Sequence, residues 1–388
     1  MNILYINNWE LNNPLTISTT IPNLKVLSSS ENIDKIVLVT PEYVNSDKNI
    51  NISKVIHKPI YLDSCTLPSI FKYICQEIKL AKFLLKLTKE YKFNRILARG
   101  SPSGGRALGL SKKTKIPFYV ESYEPHSDYM YDAGVWTKLD PRFIIQKYWE
   151  KGAMRYASGL FPVSNNYKKK LIDIGVSKDK IAVIPCSADI DKFKFDINRR
   201  DYIRKKLNIQ KDDIVGIYVG KFGGIYYDKE AFEAFEIAFK KIKTFHLILL
   251  SPISSSDLKD KLDVFPDINP NKVYHCFVHQ SKVADYLSAS DFAYALIKSK
   301  PSTLYCSAIK IGEYWANGLP IVLSKGVGDD AKILEETKLG AIYNIEYVND
   351  ILSIIQQTNY KAKIVDLARK YRNPRMIRDG YIKLGFIK

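Results

Sequence analysis

The chain has 388 residues, 46% hydrophobic and 26% charged, which excludes disordered, collagenous and fibrous classes. At roughly 150 residues per domain its length suits two domains, or three, each large enough to bury a core. Its 59 Lys and Arg against 41 Asp and Glu give a formal charge of +18, a surplus that nucleic acid, anionic lipid or a phosphate-bearing substrate would each accommodate.

In chain order, short β-branched runs alternate with longer amphipathic stretches. Strands are predicted at 2–6, 35–39, 95–98, 118–122 and 159–163, and helices at 68–92, 103–112, 142–157 and 165–174. A polar, turn-rich stretch without clear periodicity, Ile184 to Arg200, interrupts the pattern, and we place the domain boundary at 186. A second series follows: strands at 215–219, 245–250, 272–277, 291–297 and 319–324, with helices near 229–243, 281–289 and 308–317. Beyond Gly340, helix-favouring segments fall near 348–357, 361–371 and 375–384, the last expected to return to the first domain. Strand–helix alternation predicts an α/β fold of two Rossmann-like halves, 1–186 (completed by 373–388) and 187–372, each with a parallel sheet. Such sheets bind ligands beyond the carboxyl ends of their strands.

The five cysteines, at 65, 75, 186, 276 and 306, form no CxxC pair and no zinc-type cluster. Neither a secretory leader nor a run of about eighteen apolar residues occurs. These readings predict a cytosolic protein in a reducing compartment. No Gly-x-Ser-x-Gly elbow or His-Glu-x-x-His stands in the sequence, so hydrolase and metalloenzyme readings lack a foundation.

Strand ends carry the candidate chemistry. A helix from Ser307 to the Asn317-Gly318 cap places Lys310 and Glu313 on one face, three residues apart. The pair reads either as a surface ion pair or as a carboxylate for a ribose diol beside an ammonium for phosphate. Val219-Gly220-Lys221-Phe222-Gly223-Gly224 follows a strand and precedes a helix, so it reads as a tight turn or as a phosphate cradle whose added charge is Lys221. Ser324 to Asp330 is a third Gly-bearing loop on that edge. In the first half, Glu121 to Met130 is rich in groups that bond sugar hydroxyls. It contains Glu124 and His126, the latter read as a loop histidine able to switch charge. Arg99-Gly100-Ser101 and Asn7-Asn8 end two further strands. His57, His246, His275 and His279 read as structural.

The run Lys310-Ile-Gly-Glu313-Tyr-Trp-Ala-Asn-Gly-Leu-Pro-Ile-Val resembles the donor-site motif of GT-B glycosyltransferases, particularly the retaining, sugar-nucleotide-dependent family 4. Val163-Ser164 with its helix, Lys180 to Phe193, and Tyr218-Val-Gly220-Lys221 resemble segments of that family in the same order. The resemblance implies two facing Rossmann-like domains and a nucleotide-diphosphate sugar held mainly by the second, without a metal. It implies that Glu313 binds the ribose, that Lys221 and Lys310 neutralise the diphosphate, and that His126 meets the donor hexose. Gly220, Gly223, Ser307 and Tyr305 join the donor set, while Asn8, Arg99 and Glu124 are candidates for acceptor or sugar binding. Tyr305 stands where the family carries its first acid, which leaves the donor sugar open, and Asn7-Asn8 replaces its Gly-Gly loop. The expected activity is transfer of a hexose to a lipid-linked or surface-polysaccharide glycan, with a non-catalytic nucleotide-sugar binder as the alternative.

The rest of the charge has a second candidate use. In 71–93, Lys79, Lys82, Lys86 and Lys89 form one helical stripe opposite Leu80, Leu84, Leu87 and Tyr91. That helix either covers the sheet or also rests on anionic lipid at the cytoplasmic membrane face. Nucleic-acid binding has no motif behind it.

Overall fold

The computed structural model describes residues 1–43, 50–62 and 69–388. Cys65 and residue 68, at the start of the predicted helix 68–92, lie outside them. The described residues form two compact units. Unit 1 comprises Met1–Tyr131, Trp136–Pro185 and Pro374–Lys388, and unit 2 comprises Asp132–Val135 and Cys186–Asn373.

Unit 1 is built on six parallel strands: β1 Asn2–Ile6, β2 Lys35–Glu42, β3 Val55–Tyr61, β4 Arg95–Arg99, β5 Phe118–Tyr123 and β6 Gly159–Pro162, in the order β3-β2-β1-β4-β5-β6. Its helices are α1 Ile21–Ser28, α2 Ser69–Tyr91, α3 Gly100–Thr114, α4 His126–Asp132, α5 Pro141–Tyr156 and α6 Asn165–Asp173. Covering helices make the central strands apolar on both sides: Ile3, Tyr5, Ile36, Leu38 and Leu97 pack on one face, and the alternate residues Leu4, Val37, Val39 and Ile96 are buried on the other.

The sequence pattern does not announce β3, because Pro59 and Lys58 interrupt it. An edge strand tolerates that proline. Nor does it show the π-helical turn Thr16–Thr20 that leads into α1. This segment turns polar groups inward: Thr16 and Thr20 engage the Asn7 side chain, and Asn23 donates to Glu121.

Unit 2 repeats the architecture with β7 Ile214–Val219, β8 Phe245–Leu250, β9 Val273–Cys276, β10 Phe292–Ala295, β11 Ile321–Leu323 and β12 Ala341–Ile342, ordered β12-β11-β10-β7-β8-β9. Its helices are α7 Ile190–Phe193, α8 Ile197–Lys206, α9 Lys229–Lys241, α10 Ser255–Val264, α11 Val283–Ala289, α12 Ile309–Ala316, α13 Asp330–Thr337, α14 Tyr347–Ile355 and α15 Tyr360–Tyr371. Adjacent strand residues serve opposite faces: Val215 and Ile217 pack with Trp315 and Leu367, whereas Tyr218 packs with Phe232 and Phe235. The chain ends in α16 Arg375–Lys383, which belongs to unit 1 and places Ile377 and Tyr381 in its core.

The stretch that lacked periodicity holds α7 and α8. Asp189 and Asp196 cap them by accepting from backbone N–H groups one turn on. Helix α8 is anchored by arginines instead of an apolar stripe: Arg200 and Arg204 bind the two Asp291 oxygens at 2.8 and 2.7 Å and donate to carbonyls of Ser288 to Ser290. Burying guanidinium groups leaves no 3.6-residue hydrophobic signal to detect. In both sheets the order reverses beside the first strand, between β1 and β4 and between β7 and β10. The carboxyl ends of these strands are where open α/β sheets take ligands.

Candidate active site

In unit 2 the backbone leaves β7 through Gly220 at φ 129°, a conformation side chains disfavour. Space gives a second reason for glycine. A Cβ at position 220 would stand 2.9 Å from Lys310 Nζ. Lys310, in the first turn of α12, thus lays its ammonium against the carboxyl end of β7, which joins the two constellations that lie ninety residues apart in sequence.

That ammonium is shielded from solvent and has no hydrogen-bond partner. Two tyrosine rings hold it, Tyr226 at 4.2 Å and Tyr218 at 5.3 Å from Nζ to centroid. Burial pulls its pKa down to about 8, against the pull of Glu313. Glu313, one helical turn on and 9% exposed, is pushed up to about 7 by burial, opposed by Lys192, Lys310 and a hydrogen bond from Gln280. An unpaired buried cation beside a carboxylate poised near neutrality suits a diphosphate next to a ribose diol.

The loop after β7 is tied down at its base and exposed at Lys221. Tyr218 donates to the Lys221 carbonyl at 2.6 Å and stacks on Phe222, their ring centroids 4.6 Å apart. Gly223 and Gly224 turn the chain at positive φ. The Lys221 side chain is exposed and borders a cavity of about 640 Å³ shared with Lys229, Ser251 and Asp257, which neither Lys310 nor Glu313 lines.

Two residues placed in the donor set have other partners. The Ser307 hydroxyl accepts from the Cys186 backbone N–H at 3.1 Å and from Arg372, whose other nitrogen binds buried Asp330. It ties the chain entering unit 2 to the α12 loop and does not cap that helix. Tyr305 closes a short 3₁₀ turn, Thr303–Tyr305, and its half-buried side chain leaves no carboxylate at that position. In the same loop the Ser302 N–H donates to the Asp132 side chain at 2.9 Å.

In unit 1 the candidates divide. Arg99 is not available to an outside anion: its guanidinium binds Glu121 at 3.0 Å in the interior. Glu121 also accepts from Tyr5, Asn23 and Tyr381, so this carboxylate is a junction of the core. Asn8 is likewise engaged, accepting at 3.0 Å from Arg106, which pairs with Glu77.

Glu124 and His126 lie just past β5, where a bulge at Ser122, φ 48°, breaks the register with β6 and redirects the chain. Burial pushes Glu124 up to about 7 despite Arg99, and pulls His126 down to about 4. His126 opens α4 instead of sitting in a loop, with its ring edge-on to Trp136 at 5.6 Å. Its neighbour Ser127 gives both backbone and hydroxyl protons to Glu150. Burial thus favours the neutral imidazole.

Sequence reading overlooked Tyr226 and Gln280, which hold the Lys310–Glu313 pair. The signal for Tyr226 is its place six residues after Gly220, in the loop that follows β7. The four remaining histidines have structural partners, such as Asp213 for His246 and the Ser251 carbonyl for His275. Among the described residues no group of three or more His, Cys, Asp or Glu side chains is placed to hold a metal, and no helix is long and apolar enough to cross a membrane.

No protein-family model matches the chain. It is 23% identical over 345 residues, 84% of this chain and 86% of the relative, to the UDP-Gal:α-D-GlcNAc-diphosphoundecaprenol α-1,3-galactosyltransferase of Escherichia coli. Its fold is similar to that of HepE from Anabaena in complex with UDP-glucose (TM-score 0.71, 14% identity, 98% of this chain and 97% of that one). It is also similar to WaaG, a glycosyltransferase involved in lipopolysaccharide biosynthesis (TM-score 0.68, 12% identity, 99% and 100%). The chain has the GT-B fold, with two Rossmann-like domains.

Proposed function

We propose that the chain is a retaining glycosyltransferase that moves a hexose from a nucleotide-diphosphate sugar, a UDP-sugar in the first instance, to a lipid-linked or surface-polysaccharide glycan. The observation that carries this reading is the unpaired Lys310 ammonium lying against Gly220, one helical turn from Glu313. The galactosyltransferase relative supports the donor class and the lipid-linked acceptor.

The chemistry follows from charge. As the sugar C1–O bond to the diphosphate breaks, negative charge grows on the leaving oxygen, and a preorganised ammonium stabilises it most at that moment. Lys310 fills this role, and exposed Lys221 supplies a second cation, so no metal is required. The acceptor oxygen bonds to C1 on the face the phosphate leaves, and its proton passes to the phosphate oxygen. Retained configuration and free nucleoside diphosphate result. Glu313 accepts both ribose hydroxyls. The working location is the cytoplasmic membrane face, where α2 exposes Lys79, Lys82, Lys86 and Lys89.

The test is transfer and hydrolysis with a panel of UDP-, GDP- and dTDP-sugars. Anomer-retaining transfer from one donor, lost in Lys310→Met, is the expected result. If every donor is inert while a nucleotide still raises the melting temperature, the chain is a nucleotide-sugar binder and the enzyme reading falls.

A further inference from the structure

Unit 1 carries an apolar groove that the donor site does not use. Helices α2 and α5 form its walls with Ile74, Ile78, Ala81, Leu85, Ile145 and Trp149, and α3 forms its floor. The cavity is about 380 Å³, in the range of small-ligand pockets. Its walls leave apolar surface exposed, Ile74 and Ile78 being 48% and 50% exposed, and Phe71 and Tyr148 on the same two helices are more so.

Two glycines make the floor. Gly105 and Gly109 lie one turn apart within α3, where each costs about 1 kcal/mol of helix stability relative to alanine. Any Cβ at Gly105 would fall 2.1 Å from the Trp149 ring, so that glycine lets the indole lie on the helix backbone. At Gly109 a Cβ would meet nothing within 4 Å, so this glycine faces open space. One lysine, Lys113, borders the groove, while Lys79, Lys82 and Lys86 are exposed elsewhere on α2. Arg106, also at the rim, is neutralised by Glu77 at 2.7 Å.

We infer that this groove binds the isoprenoid chain of a polyprenyl-phosphate-linked acceptor. Apolar walls bordered by Lys113 match an amphiphile with an anionic head, and a channel of this volume takes one chain, whereas a phospholipid presents two. The inference rests on the lipid-linked acceptor proposed above.

The probe is geranylgeranyl phosphate bearing a terminal diazirine, presented in detergent micelles and cross-linked by light to the full chain. Label is expected on peptides of α2, α3 and α5, reduced at least about tenfold in Gly109→Leu, whose side chain fills the groove, and retained in Gly109→Ala. A UDP-induced rise in melting temperature certifies that each variant is folded. Equal labelling of Gly109→Leu and wild type, label confined to other regions, or equal labelling by a diazirine-bearing phosphatidic acid overturns the assignment. Acceptor identity is read separately. If the wild-type groove is labelled but no polyprenyl-linked saccharide receives sugar, the acceptor reading fails and the groove stands.

Discussion

The two units share a sheet order and a reversal beside the first strand, yet they use the cation near that point in opposite ways. Lys310 in unit 2 is enclosed by aromatic rings with no hydrogen-bond partner for its ammonium. Arg99 in unit 1, equally enclosed, pairs with a carboxylate that three more side chains also bind. A buried charge without a partner is costly to the fold, so its persistence points to a ligand. Paired as it is in unit 1, a buried charge belongs to the structure itself. Opposite consequences follow for stability and function.

The sharpest break of this contrast is removal of each cation. Lys310→Met should lower kcat/KM for the donor by about 10²–10³-fold, the scale of losing one preorganised charge stabiliser, without lowering the melting temperature. Arg99→Met should destabilise unit 1 by about 3–5 kcal/mol, because it strands the Glu121 carboxylate in the core. Thermal melts and steady-state kinetics on both variants decide the matter. Equal melting temperatures and equal activities would erase the distinction.

A second test uses pH. Glu313, with its pKa near 7, must be ionised to accept two hydroxyl protons, so donor affinity falls below that pH. Lys310, near 8, loses its charge above that pH, and diphosphate affinity falls again. The profile of kcat/KM for the donor should therefore be a narrow bell between about 7 and 8, changing about tenfold per unit on each side. Glu313→Gln should abolish the acid limb and keep the alkaline one. Its stability effect has a definite sign. A carboxyl whose folded pKa is raised contributes stability below its unfolded value, and that contribution is lost as pH rises through 7. Glu313→Gln should thus raise the melting temperature at about pH 8 more than at about pH 5. A flat profile, or an acid limb that survives the substitution, would deny Glu313 its role.

Smaller still is the effect expected at Gly220. Gly220→Ala puts a methyl 2.9 Å from Lys310 Nζ at a backbone φ of 129°, so the ammonium must shift. A loss of about tenfold in kcat/KM is expected, since small displacements of a positioned group are costly. Gly223→Ala, strained in backbone but with open space around its Cβ, should cost stability alone. Parallel kinetics on the two alanine variants separate approach from strain.

These residues also mark how far sequence reasoning reaches. Strands such as Ile214–Val219 and Phe245–Leu250 are apolar on both faces and stand out as runs, so the parallel α/β class was readable. Helix α12 was readable from its cap and its Lys310–Glu313 spacing. What escaped has a common cause. Elements held by polar contacts, such as α8 with its arginines and the Thr16–Thr20 turn, show no hydrophobic period. Whether a charge is spent inside the fold is a long-range fact: Arg99 and Glu121 are twenty-two residues apart, and Tyr381 joins them from the far end of the chain. Similarly, only the fold reveals that Tyr226 supports Lys310.

His126 gives the smallest expected effect and the finest discrimination. Burial lowers its pKa to about 4, so it meets any sugar hydroxyl as a neutral imidazole across the working range. The pH dependence of kcat should show no limb near 6.5, and His126→Asn, which preserves a neutral hydrogen-bonding group, should leave that profile unchanged in shape. Stability behaves differently. With a folded pKa below the unfolded 6.5, His126 contributes fully above 6.5, and its contribution is lost as pH falls toward 4. Wild-type protein should lose melting temperature over that window more steeply than His126→Asn. A kcat limb near 6.5 that vanishes with the substitution would restore the charge-switch role and place a functional titration in unit 1, contrary to the division between a ligand-seeking charge in one unit and internally satisfied charges in the other.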